Sequence, residues 1–261
     1  MSARWMQAYP TRSDRPLVLA HRGASADAPE NTVAAFKEAL RQGADGVELD
    51  VMRCGSGELV VCHDSWLDRL AGEHVEVAAT PLSELRKLDL GRRLGPRFAG
   101  ERMPTLHDAL AALPSRAVCN VELKCDHPLR DHGLAWTVSR ELRRADPGQE
   151  LIISSFNPLA LARVRLFAAH LPIGVLVDAS QRVLPRLGAA LAMRASALHV
   201  PHRLCTRDSV ARWHQRGLKV AAWTVDEPAD LERCCAAGVD VLISNRPGET
   251  LRTLERLGVA D

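Results

Sequence analysis

The chain has 261 residues, 46% hydrophobic and 25% charged, enough to fill one large core over residues 1–261. A formal net charge of +2 with scattered arginines excludes a nucleic-acid footprint, and the absence of any run of about 18 apolar residues excludes a stable membrane insertion. Seven cysteines without a CxxC pair fit neither a disulfide framework nor a zinc ribbon, and the N-terminal stretch carries no apolar signal segment, so the expectation is a soluble, cytoplasmic protein with reduced thiols.

The first apolar run, Leu17 to Ala20, reads as a strand that ends in His21-Arg22-Gly23. Asn31 or Thr32 caps the helix that follows, whose apolar positions Val33, Phe36, Ala39 and Leu40 recur at helical spacing before Gly43. A second strand, Gly46 to Asp50, carries Glu48 and Asp50 two apart, which puts both carboxylates on one side. Alone, that pair suits a solvated alternating strand as well as a cation site.

Leu59 to His63 follows too closely for a helical crossover, so Gly55-Ser56-Gly57 is predicted to turn a hairpin. With the turn centred near Ser56, position 50 falls opposite 62 and His63 returns to the neighbourhood of Glu48 and Asp50. Residues 64–102 are long, charged and rich in Gly and Pro, with a short helix near Leu82 to Leu88; they read as a small inserted subdomain beside the barrel mouth.

Further strands are predicted at Val118–Leu123, Leu151–Ser154, Ile173–Val177, Ala197–Val200, Lys219–Trp223 and Val239–Ile243, with helices between them. Eight βα units in this length predict an α/β fold, a (β/α)8 TIM barrel, with an open doubly wound sheet as the alternative. Glu122, near the end of the third unit's strand, adds a third carboxylate, and Lys124 projects to the same side. Three carboxylates without clustered Cys or His favour one hard divalent cation, Mg²⁺ or Ca²⁺. Two histidines near such an ion can divide proton abstraction from leaving-group protonation, while Arg22 and Lys124 grip a phosphate.

The ordered set HRGASADAPENT (21–32), GADGVELDV (43–51), LVVCHD (59–64), MPTLHDAL (103–110), NVELK (120–124), ISSF (153–156), AAWTVDEP (221–228) and GVDVLISNRP (238–247) resembles the glycerophosphodiester phosphodiesterases of the bacterial cytosolic type. The resemblance implies that Glu48, Asp50 and Glu122 bind the metal, that His21 and His63 are the acid-base pair, and that Arg22 and Lys124 contact phosphate. It implies supporting roles for Glu30 and Asn31, and an aromatic wall from Trp223 and Phe156 beside the substrate. The implied reaction is hydrolysis of a small-molecule glycerophosphodiester, such as glycerophosphocholine or glycerophosphoethanolamine, to sn-glycerol 3-phosphate and an alcohol.

Three departures from the family pattern stand out, one of them Arg69-Leu70 where Arg-Thr commonly follows the His-Asp element. Cys54 and Ser56 occupy the hairpin turn where Thr and Asp are usual, and Ser244-Asn245 replaces a frequent Thr-Asp, a change expected to weaken any pairing made at the eighth barrel strand. The alternatives are a lysophospholipase D with a lipid-facing rim of Trp66, Leu67, Leu70 and Phe98, an aldolase-like barrel using Lys124 as a Schiff-base nucleophile, and a binding protein without turnover.

Overall fold

A computed structural model describes residues 8–12, 14–125, 131–178 and 183–259. Residues 1–7, read above as lacking a signal segment, lie outside the described residues. In chain order the elements are β1 (Leu17–His21), α1 (Val33–Arg41), β2 (Gly46–Arg53), β3 (Leu59–Val61), α2 (Leu82–Leu85), α3 (Leu106–Ala111), β4 (Val118–Leu123), α4 (Leu134–Leu142), β5 (Glu150–Ser155), α5 (Pro158–Phe167), β6 (Ile173–Leu176), α6 (Val183–Ala192), β7 (Ala197–Pro201), α7 (Arg207–His214), β8 (Lys219–Trp223), α8 (Pro228–Ala237), β9 (Val241–Ser244) and α9 (Pro247–Arg256).

Strands pair in the order β1-β9-β8-β7-β6-β5-β4-β2-β3, and β1 also pairs with β2. That extra pairing closes the parallel strands into a (β/α)8 barrel, with β3 outside the ring, and removes the open-sheet alternative. Side chains alternate along each strand, so Leu17, Leu19 and His21 of β1 point inward, as do Glu48 and Asp50 of β2, and Asn120 and Glu122 of β4. The lower interior is apolar, built from Leu17, Leu19, Val118, Ile152, Ala197, Ala221, Val241 and Ile243. The polar residues therefore gather toward the strands' C-terminal ends, where βα loops carry chemistry in this architecture.

Local chemistry starts the helices. Thr32 caps α1 by accepting from the Ala35 amide at 3.2 Å, and Ala35, Phe36 and Ala39 bury that helix's apolar face. Proline stands in the first turn of α5, α8 and α9, where its missing N–H has no intrahelical acceptor to lose.

The hairpin forms in the expected register. Val51 pairs Val61, Met52 pairs Val60, and the Cys62 amide donates to the Asp50 carbonyl at 2.9 Å. Within 64–102 the expected helix shortens to the single turn of α2; Leu85 is its buried residue, and the chain turns away after Arg86. Leu67, Leu70, Val77, Leu85 and Leu90 pack with Met52, Cys54, Val60, Cys62 and Met103 into a second core. Of the four lipid-rim candidates Leu67 and Leu70 are buried in this core, whereas Trp66 is exposed and stacks on His74 with ring centroids 4.3 Å apart, and the Arg97 guanidinium lies 4.4 Å from the Phe98 ring.

Candidate active site

The His21-Arg22-Gly23 string turns sharply off β1. Arg22 adopts φ +57° and Gly23 φ +81°, and a Cβ at Gly23 would sit 2.6 Å from Ala35, so position 23 admits only glycine without displacing α1. The turn brings the Arg22 amide to donate to Glu48 Oε2 at 3.1 Å. Its guanidinium donates to Glu30 Oε1 at 2.9 Å and pairs with Asp50 Oδ2 at 3.2 Å.

Glu48, Asp50 and Glu122 converge. All three are buried, and ligand oxygens from the three lie within 4.8 Å of one another. Burial, then repulsion from Asp50 and Glu122, pushes the Glu48 carboxyl well up. Burial also pushes Glu122 up, while at Asp50 the charges of Lys124 and Arg22 outweigh burial and bring the carboxyl down. Lys124 Nζ lies 2.5 Å from Glu122 Oε1 and 2.9 Å from Asp50 Oδ1. Two cations therefore face three carboxylates, and Glu48 Oε1 is buried without a hydrogen-bond partner among the described residues. A divalent cation fits this all-oxygen set and relieves its residual charge. Burial opposes the Lys124 charge, but Asp50 and Glu122 push its pKa up; an amine held so firmly protonated is unsuited to Schiff-base chemistry.

Asn31 supports the cluster. Because Thr32 serves as the cap, Asn31 is free to take φ +57°, donate to Asp50 Oδ2 at 2.8 Å and accept from the Asp50 amide at 3.2 Å.

The two histidines approach from β1 and from the end of the hairpin, and each has a different group behind it. His21 Nδ1 lies 2.7 Å from Asn245 Oδ1. The Asn245 carboxamide N–H donates to Asp226 Oδ2 at 2.6 Å, and its backbone N–H donates to Asp226 Oδ1 at 2.8 Å. Asp226 only accepts, so the amide must turn its oxygen toward His21, and His21 must carry its proton on Nδ1. The Nε2 lone pair is left facing the site, 4.0 Å from Glu48 Oε2. Burial, then Arg22, holds the imidazole below its ordinary pKa and so neutral. The Asn at position 245 keeps a short pairing to His21, and Asp226 holds the amide from behind.

His63 Nδ1 lies 2.7 Å from Asp64 Oδ1. Arg69, from the insertion, donates to Asp64 Oδ2 at 2.7 Å and to both Glu30 oxygens at 2.6 and 2.7 Å. Glu30 in turn holds Arg22, so one chain of charges runs from His63 to the carboxylate cluster.

Phe156 and Trp223 meet edge to face, centroids 5.8 Å apart, and line one side of a cavity of about 260 Å³. His21, Arg22, Glu48, His63, Glu122 and Lys124 line the other. A roomier groove of about 470 Å³, between Arg15, Glu232 and Val259, contains no histidine. The candidate acid-base, carboxylate, phosphate-binding and aromatic-wall residues thus gather at one mouth, with Glu30, Asn31 and Asp50 just behind the cavity. Sequence reasoning gave no supporting role to Asp64, Arg69, Asp226 or Asn245. Asp64 and Asp226 lay within quoted motifs, but nothing local marked their partners.

A model of the glycerophosphoryl diester phosphodiesterase family matches residues 21–249. The chain is 39% identical over 245 residues, 94% of this chain and 99% of the relative, to a glycerophosphodiester phosphodiesterase of Caldanaerobacter subterraneus subsp. tengcongensis. Among solved structures it is similar to an Oleispira antarctica phosphodiesterase in complex with the product sn-glycerol-3-phosphate, with TM-score 0.85 and 29% identity, covering 92% of this chain and 97% of that one. A glycerophosphodiester phosphodiesterase of Agrobacterium tumefaciens aligns with TM-score 0.72 and 28% identity, covering 89% of this chain and 97% of its own.

Proposed function

The chain belongs to the glycerophosphoryl diester phosphodiesterase family, and on that footing we propose that it hydrolyses small glycerophosphodiesters, glycerophosphocholine and glycerophosphoethanolamine among them, to sn-glycerol 3-phosphate and the free alcohol. The observation that carries this reading is the placement of two differently backed histidines beside three converging carboxylates.

Glu48, Asp50 and Glu122 would hold one Mg²⁺ or Ca²⁺, which when bound polarises the phosphoryl oxygens and offsets charge developing on them. Arg22 and Lys124 grip the phosphate, the guanidinium as a fork and the ammonium as a point charge. His21, neutral with its proton on Nδ1, takes a proton at Nε2 from the attacking oxygen, either that of water or that of the neighbouring glycerol hydroxyl. A new P–O bond forms as the P–O bond to the alcohol breaks; on the glycerol-hydroxyl route this leaves a cyclic phosphate, which a water then opens to sn-glycerol 3-phosphate, one histidine taking the water's proton and the other returning a proton to the glycerol oxygen released from phosphorus. His63, with Asp64 at its Nδ1, delivers a proton to the departing alkoxide. Trp223 and Phe156 shape the far wall and limit its width.

A small soluble substrate is favoured over a lysophospholipid because Leu67 and Leu70 turn into the insertion's own core. Among the described residues no helix is long and apolar enough to cross a membrane. A cytoplasmic setting suits the seven free thiols. Phosphorus NMR of glycerophosphocholine turnover tests the reading: sn-glycerol 3-phosphate and choline are the expected products, and phosphocholine with glycerol would contradict it.

A further inference from the structure

Below the catalytic mouth the barrel interior should be apolar, yet two fully buried polar side chains, Asn120 of β4 and His199 of β7, line the cavity from beneath. His199 is 0% exposed and Asn120 1% exposed, and His199 Nδ1 and Asn120 Oδ1 have no hydrogen-bond partner among the described residues. A buried polar atom left unpartnered destabilises the fold, so an apolar pair of similar volume would make a more stable floor.

The imidazole is also deliberately seated. It lies directly over Gly174, where a Cβ would come within 2.2 Å of Nε2, so β6 leaves room for the ring only by carrying glycine. From below, the Tyr9 hydroxyl reaches Nε2 at 2.8 Å, and the rings meet edge to face with centroids 6.1 Å apart. Nε2 is the hydrogen-bond partner of that buried hydroxyl among the described residues; when the hydroxyl donates to it, the His199 proton stands on Nδ1. The floor then offers one N–H donor, from His199, and one carbonyl acceptor, from Asn120. A donor and an acceptor together complement an alcohol hydroxyl, which is itself both.

We propose that Asn120 and His199, seated by Gly174 and Tyr9, form a hydroxyl-reading subsite that binds the terminal hydroxyl of the substrate's glycerol and selects glycerol esters over diesters lacking it. The inference rests on the glycerophosphodiester reading above and assigns part of its specificity to the barrel floor. A site whose buried polar groups need a substrate hydroxyl rejects the deoxy analogue strongly, because the analogue leaves those groups unpaired.

The test compares kcat/KM for glycerophosphocholine with that for the phosphocholine diester of propane-1,2-diol, which keeps the hydroxyl next to the phosphoester and lacks only the terminal one. The wild-type chain is expected to prefer glycerophosphocholine by about 10²-fold or more. In His199→Leu the ratio should fall to near one, and in Tyr9→Phe, which keeps the packing but frees the imidazole, it should fall severalfold. If the wild-type chain cleaves both diesters equally well, or if Tyr9→Phe and a folded His199→Leu both keep the wild-type ratio, the floor holds internal water only and the proposal is overturned while the phosphodiesterase reading stands. A wild-type chain that cleaves neither diester overturns both.

Discussion

His21 Nδ1 and Asn245 Oδ1 stand 2.7 Å apart although 224 positions separate them in the chain. The contact exists because β1 pairs with β9 to close the barrel, which sets the ends of the two strands side by side. It fixes the proton on one ring nitrogen and leaves the lone pair of the other facing the site, as the proposed general base requires.

Exchanging the charge order behind His21 is therefore informative. In Asn245→Asp two carboxylates would meet where an amide and a carboxylate now lie 2.6 Å apart, and kcat should fall by roughly 10²-fold, the usual worth of a positioned acid or base. The double variant Asn245→Asp with Asp226→Asn restores one donor and one acceptor and should recover most of that loss. Nitrogen-15 NMR of His21 should show the Nδ1–H form in the wild type and in the double variant.

Asn31 makes two hydrogen bonds to Asp50 from a left-handed backbone, so its replacement acts on the cation site. Asn31→Ala should weaken divalent-cation binding by roughly 10- to 100-fold, as loss of an outer partner of a ligand usually does. Calorimetric titration of the metal-free chain measures it.

Arg69 joins Asp64 to Glu30 from a half-exposed position. Exposed pairs stabilise folds by only about 0–1 kcal/mol, so Arg69→Ala should leave Tm almost unchanged. It should lower kcat by about tenfold, because Asp64 and His63 lose their fixed orientation. Thermal melts and steady-state kinetics on one preparation separate the two effects.

Acid should weaken the fold through His199. Burial lowers its pKa to about 3 from an ordinary 6.5. The unfolded chain binds a proton there as pH falls below 6.5, and the native chain does not until about pH 3. This contribution to stability is intact above pH 6.5 and declines by about 1.4 kcal/mol per pH unit below it. Denaturant melts between pH 7 and 4 should show a shallower decline in a folded His199→Leu variant than in the wild type.

What sequence made legible was what local pattern controls. Strand ends, the E-x-D spacing and the tight Gly55-Ser56-Gly57 turn placed Glu48, Asp50, His63 and Glu122 together, and the expected pairing of 50 with 62 is the one seen. What escaped depends on closure of the ring. Asn245 reaches His21 and Tyr9 reaches His199 only once first and last segments meet, and a single Asn or Tyr carries no periodic signal. The apolar residues of the insertion escaped for a related reason: interleaved with charge, Leu67 and Leu70 resemble a rim until the hairpin's outer face supplies them a core.

The central claim is that the carboxylate trio holds a divalent cation on which His21 and His63 depend for hydrolysis. It is tested most directly by release of sn-glycerol 3-phosphate from glycerophosphocholine by chelator-stripped protein, before and after Mg²⁺ or Ca²⁺ is returned, beside Glu122→Gln. The account predicts no product without metal, recovery on adding it, and a loss of about 10²-fold or more in the variant. Undiminished release from the stripped protein, or from Glu122→Gln, would contradict it.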